Sequence, residues 1–581
     1  MAEDKSTKVS DLAQRRGFYW PSWEIYGGVA GLYDLGPLGK ELQNKIIELW
    51  KKVLIRPLQR IVFEMETPIL TPYKVLEASG HVENFTDPIV ECKNCGRKFR
   101  ADHLIEEATG IKVEGLKPED LTKIIRENNI RCPVCGGELG EVRPFLLLFQ
   151  TQIGPYEGSK GFLRPETAQG AFVNFKKVYQ LNRERLPFGI AQIGRVGRNE
   201  ISPRQGLLRL REFTIAEIEF FIDPLNPGKP PLDYEAKIRL LPWELQKEGV
   251  KEPVEVSVKE ALERGWIINE WMAYWMLKAK ELLNRLGISD EDQFFEEKSP
   301  EERAHYSSQT YDQLVRTERY GWMEVSGHAY RGDYDVSRHI EYSGKDLYAI
   351  RRLSEPKRVK RKVIRVNKRE LGIRFKSEAK EIMKRLNEMN PDEVEKELRE
   401  RGYVKVNDHE LGRDLIWVEE VEEVITVERF VPHVVEPSFG VERLLYVALE
   451  HAYKEKDGRV ILSLPREIAP IQVVVLPLLE EEKLKEKALE IVEMLSENYR
   501  VEYDEKGSIG RRYARWDEVG VPLAITVDFQ TLEDNTVTFR DRDTWKQVRV
   551  KVSEVPAKVE MFLKGKPLEE LGTPIEGSSE E

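Results

Sequence analysis

Cysteine and histidine are scarce in this chain, with four and eight residues among 581. The cysteines fall as two pairs, Cys92/Cys95 and Cys132/Cys135, with none left over. So few, so spaced, they argue against a secreted scaffold held by disulfides. The histidines form no set at ligand spacing, and no His-Glu-x-x-His segment occurs, so a metalloprotease helix is absent. No apolar run approaches the roughly 20 residues that cross a bilayer. The opening MAEDKSTKVSDLAQRR has no apolar stretch of the signal-peptide kind, so a cytoplasmic protein without membrane attachment is expected. Internal repeats and low-complexity tracts are also missing. Two glycine-rich segments miss the known nucleotide loops. GPYEGSKG (Gly154–Gly161) lacks the Walker spacing, and GRVG (Gly194–Gly197) is not the dinucleotide fingerprint. Any ATP used here is not held by a P-loop.

What is present is a long, highly charged chain, 40% hydrophobic and 33% charged, too long for one core and therefore built of several domains. The net charge of −11 does not exclude a nucleic-acid partner, because binding follows local potential. Positive charge gathers in RRLSEPKRVKRKVIRVNKRE, Arg351 to Glu370, and again at Arg511, Arg512 and Arg515. Each run is equally compatible with a solvated charged face.

Periodicity places the elements. Leu42, Ile46, Leu49, Trp50 and Val53 mark one face of a helix that leads into the strand-like IVFEMETPIL, broken at Pro68. Residues 187–223 read as two antiparallel strands around a loop rich in Pro, Gly and Arg, from Ile201 to Leu208. Ile267–Leu286 is an amphipathic helix. After Pro465, strands and a helix alternate (IQVVVL, Leu484–Leu495, YRVEYD, LAITVDF, TVTFRD, QVRVKV), the pattern of an α/β domain of about 100 residues.

The chemistry gathers in two windows. In FGIAQIGRVGRNEISPRQGLLRLREFTIAEIEFFIDP, Arg198 and Glu200 share one strand face, and Phe213, Ile215, Glu217 and Glu219 share another. Such a face cannot be a dry core, because buried charge needs partners. A cleft for a zwitterion and a polyphosphate suits it, and the bland alternative is the solvated face of an edge hairpin. In VVEPSFGVERLLY, Ser438 reads as an N-cap, Gly440 as a close backbone approach, and Arg443 as a phosphate ligand one turn in.

These windows resemble motifs 2 and 3 of the class II aminoacyl-tRNA synthetases, and the helix and strand of residues 41–72 are similar to motif 1. IYGGVAGLYDLGPLGKELQNKI, SGHVENFTDP, FRADHL, LRPETAQGAFVNF, YGWMEVSGHA and VVEPSFGVERLLY resemble the glycine enzymes of archaeal and eukaryotic homodimeric type, from about Leu12 to the end. The resemblance implies a multidomain α+β and α/β fold. Its parts are a class II antiparallel-sheet catalytic core with insertions and a C-terminal α/β anticodon-binding domain. The expected division is core at 1–90, 144–225, 306–345 and 421–465, a zinc-ribbon-like insertion at 91–143, and a helical insertion at 226–305. A basic, helical insertion is expected at 346–420 and the anticodon-binding domain at 466–570.

Carried over residue by residue, the resemblance makes Arg198, Arg443 and Glu324 catalytic. ATP would be held by Arg198, Asn199, Glu200, Arg209, Leu210, Phe213, Glu324, Val325 and Arg443, with Mg²⁺ near Glu324. Glycine would be held by Glu166, Glu217, Glu436, Pro437 and Ser438. The implied partners are ATP, glycine, tRNA(Gly) and a second copy of the chain. The paired Cys-x-x-Cys turns have zinc-ribbon spacing, and four thiolates close a tetrahedral, structural site. The threonine enzyme would need a core zinc with Cys and His ligands, whereas all four cysteines lie in the insertion. A non-catalytic relative would lack the motif arginines, and Arg198 and Arg443 are present.

Overall fold

The strand Glu212–Ile222 shows how the main sheet is built. Its Ala216, Ile218, Phe220 and Ile222 point into the hydrophobic core, while Glu217 and Glu219 alternate with them onto the other face. In the computed structural model, which describes residues 4–575 except 114, 156, 157, 202, 204 and 205, this strand lies inside a nine-stranded sheet. We number its strands β1 (Val62–Glu64), β2 (Phe188–Gly197), β3 (Glu212–Ile222), β4 (Lys237–Leu241), β5 (Val254–Ser257), β6 (Gln293–Glu297), β7 (Gln309–Thr317), β8 (Gly321–Gly332) and β9 (His433–Gly440). Their spatial order is β5-β4-β6-β7-β8-β9-β3-β2-β1. All pairs are antiparallel except β1 with β2 and β4 with β6.

The apolar face is covered by α1 (Pro37–Trp50), α3 (Glu270–Arg285) and α5 (Val441–Ala452), which share one core with the sheet. Phe220 packs on Trp271 at 4.3 Å between ring centres. The opposite face receives α2 (Ala168–Leu181), where Phe175 meets Phe221 at 4.8 Å, and beside it α4 (Tyr334–Ser343).

Several expectations are corrected here. Residues 226–305 are not a helical insertion: they contribute β4, β5 and β6 to the central sheet, and α3 lies on it. Alternating apolar residues in Lys237–Leu241 and the Phe294–Phe295 pair drive that pairing. Leu42, Ile46, Leu49 and Trp50 are 0–2% exposed within this one chain, so the apolar face of α1 serves the core and is not free for a second copy.

The cysteine segment forms its own small body. Thr86–Glu91 pairs with Lys98–Arg100 and Arg143–Leu146, and two helices, Ala101–Thr109 and Pro118–Glu127, close a core around Val90, Ile105, Leu121 and Ile125. The C-terminal domain is a six-stranded mixed sheet flanked by helices, among them Glu482–Ser496 and Ile509–Val519. It is tied to the core by Arg15 and Arg16 on Glu518, and by the Arg542 guanidinium, which donates to the Leu464 carbonyl.

The chain divides into two compact units, Met1–Leu347 with Pro432–Glu581, and Tyr348–Val431. The second unit is carried on two long antiparallel strands, Ala349–Val366 and Ile416–Phe430, with three α-helices and a short hairpin between them. It runs past the boundary expected at residue 420, because the acidic strand pairs along the basic one. The basic run is thereby matched: Lys360 meets Glu420 at 2.9 Å, Arg365 meets Glu419 at 2.7 Å, and Arg351 meets Glu428 at 2.7 Å. No helix among the described residues is long and apolar enough to cross a membrane.

Candidate functional site

A cavity of about 370 Å³ opens on the charged face of the central sheet. Of the residues expected from the sequence, Glu166, Arg198, Glu200, Arg209, Leu210, Phe213, Glu217, Glu324, Val325, Glu436, Ser438 and Arg443 line it. Asn199 and Pro437 do not: the Asn199 backbone N–H is bound to the Leu147 carbonyl, and Pro437 sits in β9 opposite His328.

One end of the cavity is cationic. β2 stops at Gly197, so Arg198 and Glu200 stand just beyond the strand, not on it. The Arg198 Nε donates to the Pro165 carbonyl at 3.1 Å, and its guanidinium lies 5.4 Å from the Phe213 ring and 5.5 Å from the Phe85 ring. Arg209 donates to Glu200 at 3.1 Å. Arg443 is aimed by the carbonyls of Leu208 and Glu324, at 3.0 and 2.9 Å, and faces the Glu324 carboxylate at 3.2 Å. Ser438 is not the N-cap expected for α5. It lies within β9, and Gly440 caps the helix instead. Beyond Glu324, Asp312 is buried and paired with Lys298 at 2.9 Å; burial and the facing Glu324 push its carboxyl up to about 7.

The other end is a cluster of buried carboxylates around one arginine. Glu217 accepts from the Thr167 N–H and hydroxyl, at 2.8 and 2.5 Å, and from the Ser438 hydroxyl at 2.8 Å. Arg331, fully buried, donates to both oxygens of Glu436 at 3.0 and 2.9 Å, to both of Asp335 at 2.7 and 3.0 Å, and to Glu166 at 3.4 Å. Its guanidinium lies 3.6 Å from the centre of the Tyr306 ring. Burial opposes ionisation of Glu166, yet Arg331 and His81 hold it well below the usual carboxylate range. Glu436 goes the other way: burial, reinforced by Glu217 and Glu166 and only partly relieved by Arg331, pushes it up to about 8.

Arg331, Asp335, Thr167, Asp312 and Lys298 were not anticipated. Thr167 lies inside the LRPETAQG phrase and was within reach. Arg331 was not, because the carboxylates that mark it as a site residue, Glu436 and Glu166, stand 105 and 165 positions away in sequence. It is the extra residue of a bulge in the register of β8 on β9, between Tyr330 and Gly332. In the C-terminal domain, two of the three arginines at which positive charge gathers are engaged within the domain. Arg512 is 1% exposed and binds the carbonyls of Pro477, Asp504 and Leu478, and Arg515 pairs with Asp504; Arg511 is exposed.

The comparisons agree with this architecture. Residues 156–452 match the family described as tRNA synthetase class II core domain (G, H, P, S and T), and residues 472–561 match the anticodon binding domain. A glycine–tRNA ligase of Aeropyrum pernix is 54% identical over 582 residues, covering 99% of this chain and 100% of that protein. The chain belongs to the glycine–tRNA ligase family. Other glycine–tRNA ligases similar to it come from Pyrococcus furiosus, 49% identical over 97% of this chain and 100% of that protein, and from Methanocaldococcus jannaschii, 46% over 96% and 98%. Among solved structures, a prolyl-tRNA synthetase from Cryptosporidium parvum complexed with L-proline and AMP aligns with TM-score 0.50 and 14% identity, over 97% of this chain and 77% of that one. That likeness bears on the fold. As in the family, a class II core is joined to a C-terminal anticodon-binding domain.

Proposed function

We propose that this chain, as a glycine–tRNA ligase, activates glycine with ATP and transfers it to the 3′ end of tRNA(Gly), using the cavity described above. The observation that carries the assignment of the site is that one cavity joins a buried carboxylate cluster to a ring of arginines. The carboxylates suit an ammonium, which they hold by charge-assisted hydrogen bonds. The arginines suit a polyphosphate. Glu217, Glu436 and Glu166 would hold the amino group, and Ser438 would sit against the α-carbon.

One glycine carboxylate oxygen attacks the α-phosphorus and pyrophosphate leaves. No enzyme nucleophile is needed, so catalysis is positioning and neutralisation of the charge that develops on the phosphoryl oxygens. Arg198 would take the α-phosphate, Arg209 and Arg443 the outer phosphates, and Phe213 would stack on adenine beside Glu200. Glu324 would hold the Mg²⁺ that comes with ATP, which would supply neutralisation of phosphate charge. A terminal ribose hydroxyl of the tRNA then attacks the glycyl carbonyl and AMP leaves. ATP–pyrophosphate exchange with each amino acid in turn tests the reading. Glycine is expected to support exchange, and robust exchange with alanine or proline would overturn the pocket as drawn.

The same proposal includes a structural zinc on Cys92, Cys95, Cys132 and Cys135. The Sγ atoms of Cys92 and Cys135 lie 3.5 Å apart and those of Cys95 and Cys132 3.8 Å apart. A tetrahedral site with Zn–S near 2.3 Å has edges of about 3.8 Å, so the thiols fit the ion. Purified protein should carry about one zinc per chain, by the four-thiolate rule. Cys132→Ser should lose it, with a lower melting temperature of the small body at residues 86–146; elemental analysis finding no metal would sink the assignment. A cytoplasmic homodimer completes the proposal, and light scattering would expose a monomer.

A further inference from the structure

Glu219 takes no part in the contacts described so far. It is 1% exposed, and neither of its oxygens has a hydrogen-bond partner among the described residues. On β3 it shares a face with Glu217. Glu217 stands opposite Ser438 on β9, and Phe220 stands opposite Val435, so the same register sets Glu219 opposite Glu436. Oxygens of Glu217, Glu219 and Glu436 lie within 4.8 Å of one another.

The charged groups that face Glu219 are Glu217 on its own strand, Glu436 on β9, Glu166 ahead of α2, and Arg331 on β8. Arg331 is the one cation among them, and its donors are committed to Asp335, Glu436 and Glu166. Glu217 is satisfied by Thr167 and Ser438. An ionised Glu219 would therefore be a desolvated charge without a donor, directly across the sheet from a second carboxylate. Like charges so placed repel, and two carboxyls sharing a site do not both ionise.

We propose that Glu219 and Glu436 hold a proton between them before the amino acid binds, and that the glycine ammonium displaces it, so that glycine binding releases a proton. The proposal rests on the reading of this cavity as the glycine site. The exchange balances: the ammonium enters already charged, the proton leaves to solvent, and the carboxylate left behind pairs with the ammonium. Burial and the facing Glu436 push Glu219 well above the ordinary carboxylate range, and Glu436 itself is raised, in keeping with a shared proton.

Calorimetric titration of glycine into the full-length enzyme, in phosphate, HEPES and Tris at one neutral pH, counts the proton. About one released proton is expected, with a glycine dissociation constant that falls up to about tenfold per pH unit from pH 6 and levels off above the pair's titration. In Glu219→Gln the partner carboxylate is gone, Glu436 ionises beside Arg331, and both the proton count and the pH dependence should shrink toward zero. Equal heats in all buffers after correction, or an unchanged proton count in Glu219→Gln, would overturn the proposal. So would a glycine affinity more than about tenfold weaker at every pH in that variant, since Glu219 would then hold the ammonium as an ion. The wild-type count stands without any variant. Unchanged glycine binding in Glu166→Gln would overturn the site assignment itself, a failure distinct from glycine binding without proton release.

Discussion

Arg331→Ala is expected to reduce glycine-dependent pyrophosphate exchange to background and to lower the unfolding free energy by about 3–5 kcal/mol, the cost of breaking a buried ion pair from one side. The arginine is fully buried and donates to Glu436, Asp335 and Glu166. Its removal leaves Glu436 and Asp335 without their guanidinium, and Glu166 with only His81 beside it, in a site already crowded by Glu217 and Glu219. They would have to take up protons beyond the one Glu219 and Glu436 already hold, and a Glu436 that keeps its proton does not attract an ammonium as an ion. The pH dependence of stability follows. In the variant the folded state binds more protons than the unfolded chain from about pH 4 up to the raised folded pKa values, so stability falls as pH rises through that window. Thermal melts should therefore show the variant closest to wild type near pH 5 and furthest from it near pH 8. A variant that melts like wild type at both and still exchanges pyrophosphate would show that the cluster is not organised around Arg331.

Arg198→Ala should lower kcat for exchange by about 10²–10³-fold, the usual loss when one preorganised donor is removed from the site of developing charge. Among the described residues the side chain makes one hydrogen bond, to the Pro165 carbonyl, and it rests between Phe85 and Phe213. Truncating it frees no buried carboxylate, so the melting temperature should move little. The glycine KM should stay near wild type, because the carboxylate end of the cavity is untouched. Arg198→Lys should recover only part of the rate, since an ammonium cannot reproduce the planar fork. An unaltered kcat with a raised glycine KM would move Arg198 out of the phosphoryl-transfer step. Together the two variants separate the ends of the cavity: one acts on stability and amino-acid binding, the other on turnover.

Legibility in the sequence followed the range of the physical signal. Period-two alternation in β3 was enough to set Glu217 and Glu219 on one face, because that strand is regular over 11 residues. Alternation failed at the ends of strands. Arg198 and Glu200 lie past the end of β2, and Ser438 belongs to β9 and not to the cap of α5. Partners distant in sequence were invisible. The basic strand from Ala349 to Val366 looked like an open positive surface until its acidic partner, some fifty residues on, was paired with it. In the same way β4 and β6 are strands of only five residues that pair with each other across some fifty intervening residues, so their segment read as helical by its one long helix. The cysteines were legible because their chemistry is local to each pair and requires only that the two pairs meet.

The unit Tyr348–Val431 opens and closes on one rung of its own ladder, Ala349 beside Phe430. Its ends therefore lie about 5 Å apart, the separation of facing residues in an antiparallel pair. For the polypeptide outside it, the whole unit is topologically a surface turn. Material spliced in at such a point charges the host only the slowly growing entropy of a longer closed loop. Lineages could enlarge, trim or lose this appendage without rewriting the sheet that holds the cavity, and a two-residue turn grafted between Leu347 and Pro432 is the minimal form to which it could be reduced.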